Sequence, residues 1–253
     1  MTRFARGILL AAALTASFCW NLAADEANAE WNIFRGDPQL SGRARCTIPE
    51  KLRLLWSAET GDDIRASPVV SEGTVFVGSS DSNMYAWSLS DGQKRWQVQL
   101  DAPIEAPALV LDGSLYVGSS AGMLHCLDAT NGRTRWSYKT EGKIAGSPNW
   151  LTESNGATVK ILVGSHDTML HAVNAADGKR VWAFETDNYV NGCPAVAGGR
   201  IVFGGCDGEV HVLRADGTEE ASIPVGSYIP GSSAMAGDTV YAGHYGNQVV
   251  CVD

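Results

Sequence analysis

The chain has 253 residues, of which 45% are hydrophobic and 19% are charged, a composition typical of a folded globular protein rather than a disordered one. The formal net charge is -9 at pH 7. A surface with this excess of carboxylates repels phosphate backbones, so we do not expect nucleic acid as a partner.

Residues 1–29 predict a secretory signal peptide. Arg3 and Arg6 precede an apolar run over residues 8–18, and Ala27-Asn28-Ala29 is a small-x-small cleavage pattern. The mature chain is therefore expected to start near Glu30. No later segment reaches the roughly 20 apolar residues that a membrane helix requires, so no transmembrane segment is predicted after cleavage.

Cys19 invites comparison with a lipoprotein signal, but Phe18 stands where such a signal has a small residue. We therefore predict a periplasmic or extracellular protein without a lipid anchor. After the signal peptide, residues 30–52 form a lead-in segment without a repeat pattern, in which Trp31 and Phe34 are expected to pack against the core. Residues 53–253 form the repeat region.

The repeat is visible as a tryptophan that recurs with a period near 40 residues. A glycine recurs at a second fixed position, with extra residues over 152–160 in the third copy. Ala221 takes the tryptophan position in the fifth copy. The aligned tryptophans are Trp56, Trp96, Trp136 and Trp182, and the aligned glycines are Gly78, Gly118, Gly164, Gly204 and Gly243.

Each copy contains three turn signals of the kind that Asp112-Gly113, Ala121-Gly122 and Asn131-Gly132 show. Three turns connect four strands. The second and third runs are short and apolar on both sides, whereas the strand that carries the tryptophan alternates between apolar and polar residues, as a half-exposed strand does. Four-stranded units of this length predict an all-β fold, a β-propeller of five repeats.

The tryptophans have two interpretations, aromatic platforms for a ligand or wedges that dock neighbouring blades. We favour docking, because each tryptophan begins the outer strand, far from any central channel. Burial of ~150 to 250 Å² per indole corresponds to roughly 4 to 6 kcal/mol as an upper bound. The outer strand at Ala221 is then expected to be the most loosely packed.

Two closures remain open. Residues 54–60 predict an outer strand without preceding inner strands, and residues 229–252 predict three inner strands without an outer one. Pairing of these two pieces would close a ring of five blades. The alternative, which we favour, is a partial arc of a larger propeller. In either case a blade takes its outer strand from one copy and its inner strands from the copy before.

The pattern S-P-V-V, V-F-V-G-S, M-Y-A-W and D-G-x-x-W over residues 67–96 resembles the PQQ-like repeat of quinoprotein-type β-propellers. This family includes alcohol and glucose dehydrogenases that bind pyrroloquinoline quinone, and members without a cofactor such as the BamB-type outer-membrane assembly lipoprotein. The resemblance covers about residues 50–253. It implies that any quinone would lie on the central axis with a calcium ion, and the adjacent cysteine pair of the alcohol dehydrogenases is missing here.

The residues predicted to face the axis stand one position after the apolar residue that precedes each first strand. They are Arg65, Glu105, Ala145, Asn191 and Pro230. Glu105 and Asn191 carry ligands of the kind that a hard cation prefers, but they stand in non-neighbouring repeats beside an arginine. We therefore interpret Arg65, Glu105 and Asn191 as polar residues that line a channel rather than as a metal site.

Histidines and cysteines offer two further hypotheses. His125, His171 and His211 share one repeat position on different blades, and facing sheets lie ~10 Å apart, so one metal ion is not expected to bind all three. Cys193 and Cys206 flank one hairpin, which allows a disulfide, with two free thiols as the alternative.

These patterns contain no grouping of a nucleophile with a base, and no catalytic, cofactor-binding or metal-binding residues are predicted. The favoured function is that of an exported, non-catalytic scaffold that binds an envelope protein or a small ligand. The alternative is a dehydrogenase dependent on pyrroloquinoline quinone and calcium, or a degenerate relative of one.

Overall fold

The computed structural model describes residues 30–44, 46–152 and 159–253, which contain nineteen strands and no helix. In this part of the chain there is accordingly no helix long and apolar enough to cross a membrane. The predicted signal peptide and the middle of the inserted loop, residues 153–158, lie outside the described residues.

The strands form five antiparallel sheets, each built from strands that follow one another along the chain. We call these sheets blades one to five. Blades one to four have four strands and blade five has three. The strands are β1 (Val69–Ser71), β2 (Thr74–Gly78), β3 (Asn83–Ser88) and β4 (Lys94–Gln99) in blade one; β5 (Leu109–Leu111), β6 (Ser114–Gly118), β7 (Met123–Asp128) and β8 (Thr134–Lys139) in blade two; β9 (Asn149–Thr152), β10 (Val159–Gly164), β11 (Met169–Asn174) and β12 (Arg180–Glu185) in blade three; β13 (Ala195–Ala197), β14 (Arg200–Gly204), β15 (Glu209–Arg214) and β16 (Glu219–Pro224) in blade four; and β17 (Ala234–Ala236), β18 (Thr239–His244) and β19 (Gln248–Val252) in blade five.

This arrangement confirms the all-β propeller predicted from the repeat. The outer strand β4 carries Trp96, which opens the second copy, while β1 to β3 come from the first copy. The first hairpin turns have the expected chemistry: Asp112 and Gly113 between β5 and β6 both have positive φ, 48° and 68°. Two consecutive residues of this kind match the twist of the strands that they join.

Neighbouring blades interlock where four of the aligned glycines, Gly78, Gly118, Gly164 and Gly204, end the second strands. A Cβ on Gly118 would lie 2.1 Å from a side-chain carbon of Ile144, the residue that leads into the next blade. Gly78 and Ile104 make the same contact one blade earlier, where the distance would be 2.2 Å. Because no larger residue fits at these glycines, the apolar residue of the following repeat can pack directly on the sheet before it.

The outer strands hold the tryptophans against the following blade. The indole Nε1 of each donates a hydrogen bond to a backbone carbonyl in that blade's third turn: Trp56 to Leu89 at 2.9 Å, Trp96 to Ala129 at 3.0 Å, Trp136 to Ala175 at 2.9 Å and Trp182 to Ala215 at 3.3 Å. The same indoles cover the glycines of those turns, Gly92, Gly132, Gly178 and Gly217. Trp96, Trp136 and Trp182 therefore lie between two blades, at the outer side, whereas Trp56 docks on blade one alone.

The two ends of the arc do not pair, and the prediction of an outer strand over residues 54–60 is wrong. These residues keep the alternating exposure of an outer strand, and Trp56 docks on blade one, but they form no strand in the structure. The physical reason is that the described residues place no inner strand beside them. Within the described part of the chain β19 pairs with β18 alone, so the blades form an open arc rather than the alternative closed ring.

Candidate functional site

The lead-in segment lies at the inner edge of the arc. Residues 31–39 contact the first strand of every blade, and first strands are the ones opposite the exposed outer strands. The contacts are backbone pairing of Trp31 with Val70 at 2.8 and 2.9 Å, Val110 N–H to Asn32 O at 2.8 Å, the Asn149 side-chain amide to Pro38 O at 2.8 Å, Val196 N–H to Pro38 O at 2.7 Å, and Met235 N–H to Gln39 O at 2.9 Å. The chain's own backbone thus lines the inner edge of the arc.

Apolar side chains anchor this segment. Ile33 and Leu40 are both fully buried and belong to the largest core cluster, which includes residues of blades two to five. Gly36 has a φ of 82°, and a Cβ at this position would lie 2.6 Å from the ring of Trp31. Only glycine fits at position 36, because the Trp31 ring packs directly against this turn.

The residues predicted to line a channel separate into two groups. Arg65 donates a hydrogen bond to the Glu105 carboxylate at 3.1 Å, and Lys143 binds the other oxygen of the same carboxylate. Asn191 lies apart from them and donates to the sulfur of Cys206 at 3.0 Å. The structure thus brings together Arg65 and Glu105, with Lys143 as a third member that sequence reasoning missed.

The cationic partners of Glu105 lower the pKa of its carboxyl. The hydrogen bond from Lys143 is the main cause of a lowered pKa at Glu105; burial opposes this effect and Arg65 adds to it. The carboxylate is therefore ionised and paired with two cations. Sequence reasoning overlooked Lys143. This residue stands two positions before Ala145, the residue of the same repeat that was predicted to face the axis.

Glu105 and Asn191 do not form a calcium site. A calcium site needs six or more oxygen ligands, whereas Glu105 is bound by two cations and the Asn191 amide is committed to Cys206. Among residues 30–44, 46–152 and 159–253, no group of three or more histidine, cysteine, aspartate or glutamate side chains is placed to hold a metal ion.

The three aligned histidines lie on β7, β11 and β15 and hydrogen-bond to carboxylates. His171 Nε2 contacts Asp167 at 3.0 Å, and His211 Nε2 contacts Asp207 at 3.0 Å, whereas His125 Nε2 contacts Asp101 at 2.7 Å. Burial raises the pKa of Asp167, but hydrogen bonds from the Glu141 N–H and His171 outweigh it, so the net shift is downward. Each pair ties a third strand to a neighbouring loop, in separate blades.

Of the two alternatives for Cys193 and Cys206, the structure has the two free thiols. The pairing register explains this: Ala195 lies opposite Val202, so Cys193 would face residue 204, two positions short of Cys206. Cys193 contacts the carbonyl of Pro194, and burial raises the pKa of its thiol. Cys193 packs within the largest core cluster.

One rim of the arc carries three exposed tyrosines, which we call the tyrosine rim: Tyr189, Tyr228 and Tyr245 are 47%, 53% and 70% exposed. Tyr189 and Tyr228 occupy the same repeat position, just before the apolar residue that leads into blades four and five. Tyr245 follows β18, and its N–H donates to Tyr228 O at 3.0 Å. Tyr189 also stacks on His166, with ring centroids 4.6 Å apart.

A cavity of about 510 Å³ opens between blades four and five, where Ala221 replaces the tryptophan. The corresponding space between blades one and two is about 300 Å³ and is lined by Phe76, whose ring centroid is 5.8 Å from that of Trp96. The loose packing predicted for the outer strand at Ala221 therefore takes the form of an open space between two blades.

The antiparallel blades, the repeat and the absence of helices from the described residues define a PQQ-like repeat β-propeller, open at its ends. A family model described as "Outer membrane protein assembly factor BamB" matches residues 41–158 and 105–253. Because these matches cover most of the chain, the protein belongs to this family. No curated protein matches the chain.

Solved structures support the fold. BamB from Moraxella catarrhalis has a TM-score of 0.68 at 21% identity over 78% of this chain. Quinohemoprotein alcohol dehydrogenase from Comamonas testosteroni has a TM-score of 0.73 at 16% identity over 90% of this chain. The computationally designed Ika8 protein has a TM-score of 0.63 at 14% identity over 73% of this chain. The alignments span only 63%, 48% and 56% of those three structures, respectively.

Proposed function

We propose that this protein is an exported, non-catalytic propeller scaffold that binds a protein partner in the cell envelope. The tyrosine rim is the observation that carries the proposal. Tyrosine supplies a large, rigid contact area with a polar tip, and it is enriched at the centres of protein interfaces. Three tyrosines at least 47% exposed on one rim therefore form a surface suited to another polypeptide.

Two features support a non-catalytic role. The lead-in segment occupies the inner edge of the arc, where it binds the first strands of all five blades. The carboxylate that faces the predicted channel, Glu105, is bound by Arg65 and Lys143. The described residues thus supply a carboxylate paired with two cations and an inner edge lined by the lead-in segment, and neither supplies an activated nucleophile or base.

Affinity capture from the native envelope tests this proposal. A partner captured by the unsubstituted protein should be lost when Tyr189, Tyr228 and Tyr245 are all replaced by serine. A control variant, Val181→Ser, changes a residue 46% exposed on β12 outside the rim and should retain the partner. Equal capture by all three proteins would contradict a role for the tyrosine rim.

The same protein also tests the enzymatic alternative. After addition of pyrroloquinoline quinone and calcium, we expect no dye-linked oxidation of alcohols or sugars. Turnover that depends on both additions would overturn the non-catalytic proposal, whatever the capture experiment shows.

A further inference from the structure

Blades one and two each carry an arginine at the same position of the outer strand, but the partners of the two arginines differ. Arg95 on β4 and Arg135 on β8 both stand one residue before a docking tryptophan. Arg135 donates to the Ser114 hydroxyl at 2.6 Å and to the Asp128 carboxylate at 2.8 Å. Both ends of its guanidinium are thus held by side chains of blade two.

Arg95 has the hydroxyl partner without the carboxylate. Its Nη1 donates to the Thr74 hydroxyl at 2.5 Å. The residue opposite Thr74 on β3 is Ser88. In blade two, the residue opposite Ser114 on β7 is Asp128. Serine therefore stands where blade two has the aspartate, and no carboxylate among the residues that the structure describes forms an ion pair with Arg95.

Asp91 does not replace the missing aspartate. Hydrogen bonds from Ser88 and from the Gln93 N–H are the main causes that lower the pKa of Asp91, and the charge of Arg95 contributes least. A guanidinium presents several N–H donors, of which Arg95 uses one in its bond to Thr74. The other donors are therefore available to a carboxylate from outside the chain.

Arg95 lines the cavity of about 300 Å³ between blades one and two. Both blades have all four strands, and Trp96 docks across their boundary through its hydrogen bond to Ala129. The cavity therefore does not arise from a missing strand or a missing indole. Its apolar lining residues include Phe76, Val110 and Leu111.

Charged residues of both signs line this cavity. Glu72 lies on the turn between β1 and β2, and Asp112 lies on the turn between β5 and β6. These two carboxylates repel a simple anion, and Arg95 repels a simple cation. A zwitterion presents a carboxylate to the guanidinium and an ammonium group to the carboxylates, so residues of both signs attract it.

We propose that this cavity binds a free α-amino acid with an apolar side chain. The α-carboxylate binds Arg95, as the Asp128 carboxylate binds Arg135 in blade two. The α-ammonium group faces Glu72 and Asp112, and the side chain packs on the apolar lining. The cavity volume lies at the lower end of the ~300 to 1,000 Å³ that is usual for small-molecule sites, which suits one amino acid better than a peptide. The tyrosine rim belongs to other blades, so this site is tested independently of the proposed scaffold function.

Titration of the purified protein with L-leucine, followed by calorimetry and by amide chemical shifts, tests the proposal. We expect saturable one-to-one binding, with shift changes confined to the residues that line the cavity and their neighbours. Arg95→Gln should weaken binding about tenfold or more, because it removes a charge-assisted hydrogen bond. Arg135→Gln, the same change at the equivalent position of blade two, should leave the affinity unchanged, because Asp128 holds Arg135 within blade two.

Ligands that lack one group separate the contributions of the two charges. L-leucinamide has no carboxylate and isocaproate has no ammonium group, so each should bind about tenfold more weakly than leucine. Leucinamide bound as tightly as leucine would contradict the role of Arg95. Leucyl-leucine bound more tightly than leucine would contradict a free amino acid as the occupant.

An added carboxylate gives an independent measurement in a variant that keeps Arg95. Ser88→Asp combined with Asp91→Asn gives blade one the residues that blade two has in Asp128 and Asn131. The internal carboxylate should then occupy the guanidinium and weaken leucine binding about tenfold, with no loss in melting temperature. Undiminished leucine binding in this variant, or absence of saturable leucine binding to the unsubstituted protein, would overturn the proposal.

Discussion

The boundary between blades three and four and the boundary between blades four and five share a backbone arrangement but differ in packing. At the first, Trp182 reaches across and its Nε1 donates to Ala215 O at 3.3 Å. At the second, Ala221 leaves a cavity of about 510 Å³. Since strand pairing and register are the same, the indole is not required to form the outer strand. Its contribution is to fill the space between two sheets.

The largest expected effect comes from removal of an indole at a closed boundary. Trp136→Ala should lower the free energy of unfolding by ~3 to 5 kcal/mol, because it deletes a large side chain between two blades and leaves a cavity. Urea unfolding measures the change. Val181→Ala, at an exposed position of the next outer strand, should have little effect. An unchanged stability for Trp136→Ala would refute the wedge role of the tryptophans.

A smaller effect is expected at the glycine under the same indole. Gly178 and Gly113 have nearly equal φ values, 70° and 68°, but a Cβ on Gly178 would lie 2.5 Å from the Trp136 ring while Gly113 faces open space. Gly113→Ala should lower the free energy of unfolding by about 1 kcal/mol, through backbone strain alone. Gly178→Ala should lower the free energy of unfolding by about 1 to 3 kcal/mol more than Gly113→Ala does, because the new Cβ clashes with the indole. Equal losses in thermal unfolding would show that the indole does not press on this turn.

The open boundary should respond in the opposite direction. Ala221→Trp adds an indole where the backbone already provides space, and we expect the free energy of unfolding to rise by ~0.5 to 2 kcal/mol. Urea unfolding measures it, with Ala183→Trp as the control for an added exposed indole. A loss of stability in Ala221→Trp alone would mean that the cavity does not have the shape of the closed boundaries.

The smallest effect concerns pH. Arg135 donates to the Asp128 carboxylate at 2.8 Å and is the main cause that lowers the pKa of Asp128 to about 2. A carboxyl with a depressed pKa stabilises the fold fully above its unfolded pKa of about 4, and this contribution is lost as the pH falls through about 2. The pair is partly exposed, so its contribution is below about 1 kcal/mol.

Arg135→Gln should therefore move the pKa of Asp128 towards its ordinary value and flatten the dependence of stability on pH between about 4 and 2. A carboxyl NMR titration measures the pKa, and urea unfolding at the two pH values measures the stability. Arg133→Gln is the matched control on the neighbouring turn. A pKa of Asp128 that stays near 2 in Arg135→Gln would assign the shift to Thr130 instead, whose N–H donates to Asp128 at 2.9 Å.

Much of the fold was predictable because the copies of the repeat can be aligned position by position. Trp96 and Trp136 mark the outer strands, and the positive-φ pair at Asp112-Gly113 marks a hairpin. These are local signals that recur, so five copies reinforce one another. Loose packing of the outer strand at Ala221 was predicted for the same reason, because alanine departs from the tryptophan of the other copies.

The parts that sequence reasoning missed depend on contacts between distant segments. Pro38 binds Val196 and Asn149, which are more than a hundred residues away in the sequence. Residues 30–40 have no repeat pattern from which these contacts could be predicted. Residues 54–60 have the alternation of a strand, but a strand also needs an adjacent backbone partner. The pairing of Lys143 with Glu105 likewise depends on the distance between two loops, which local sequence does not encode.

Hydrogen exchange at the last boundary tests most directly the claim that a missing indole leaves two blades unlocked. In the unsubstituted protein, amides of β17 to β19 should exchange faster than those of β5 to β8. In Ala221→Trp, exchange in β17 to β19 should slow while β5 to β8 stay unchanged, because the new indole closes the boundary. Exchange in β17 to β19 that is unaffected by Ala221→Trp would contradict the account.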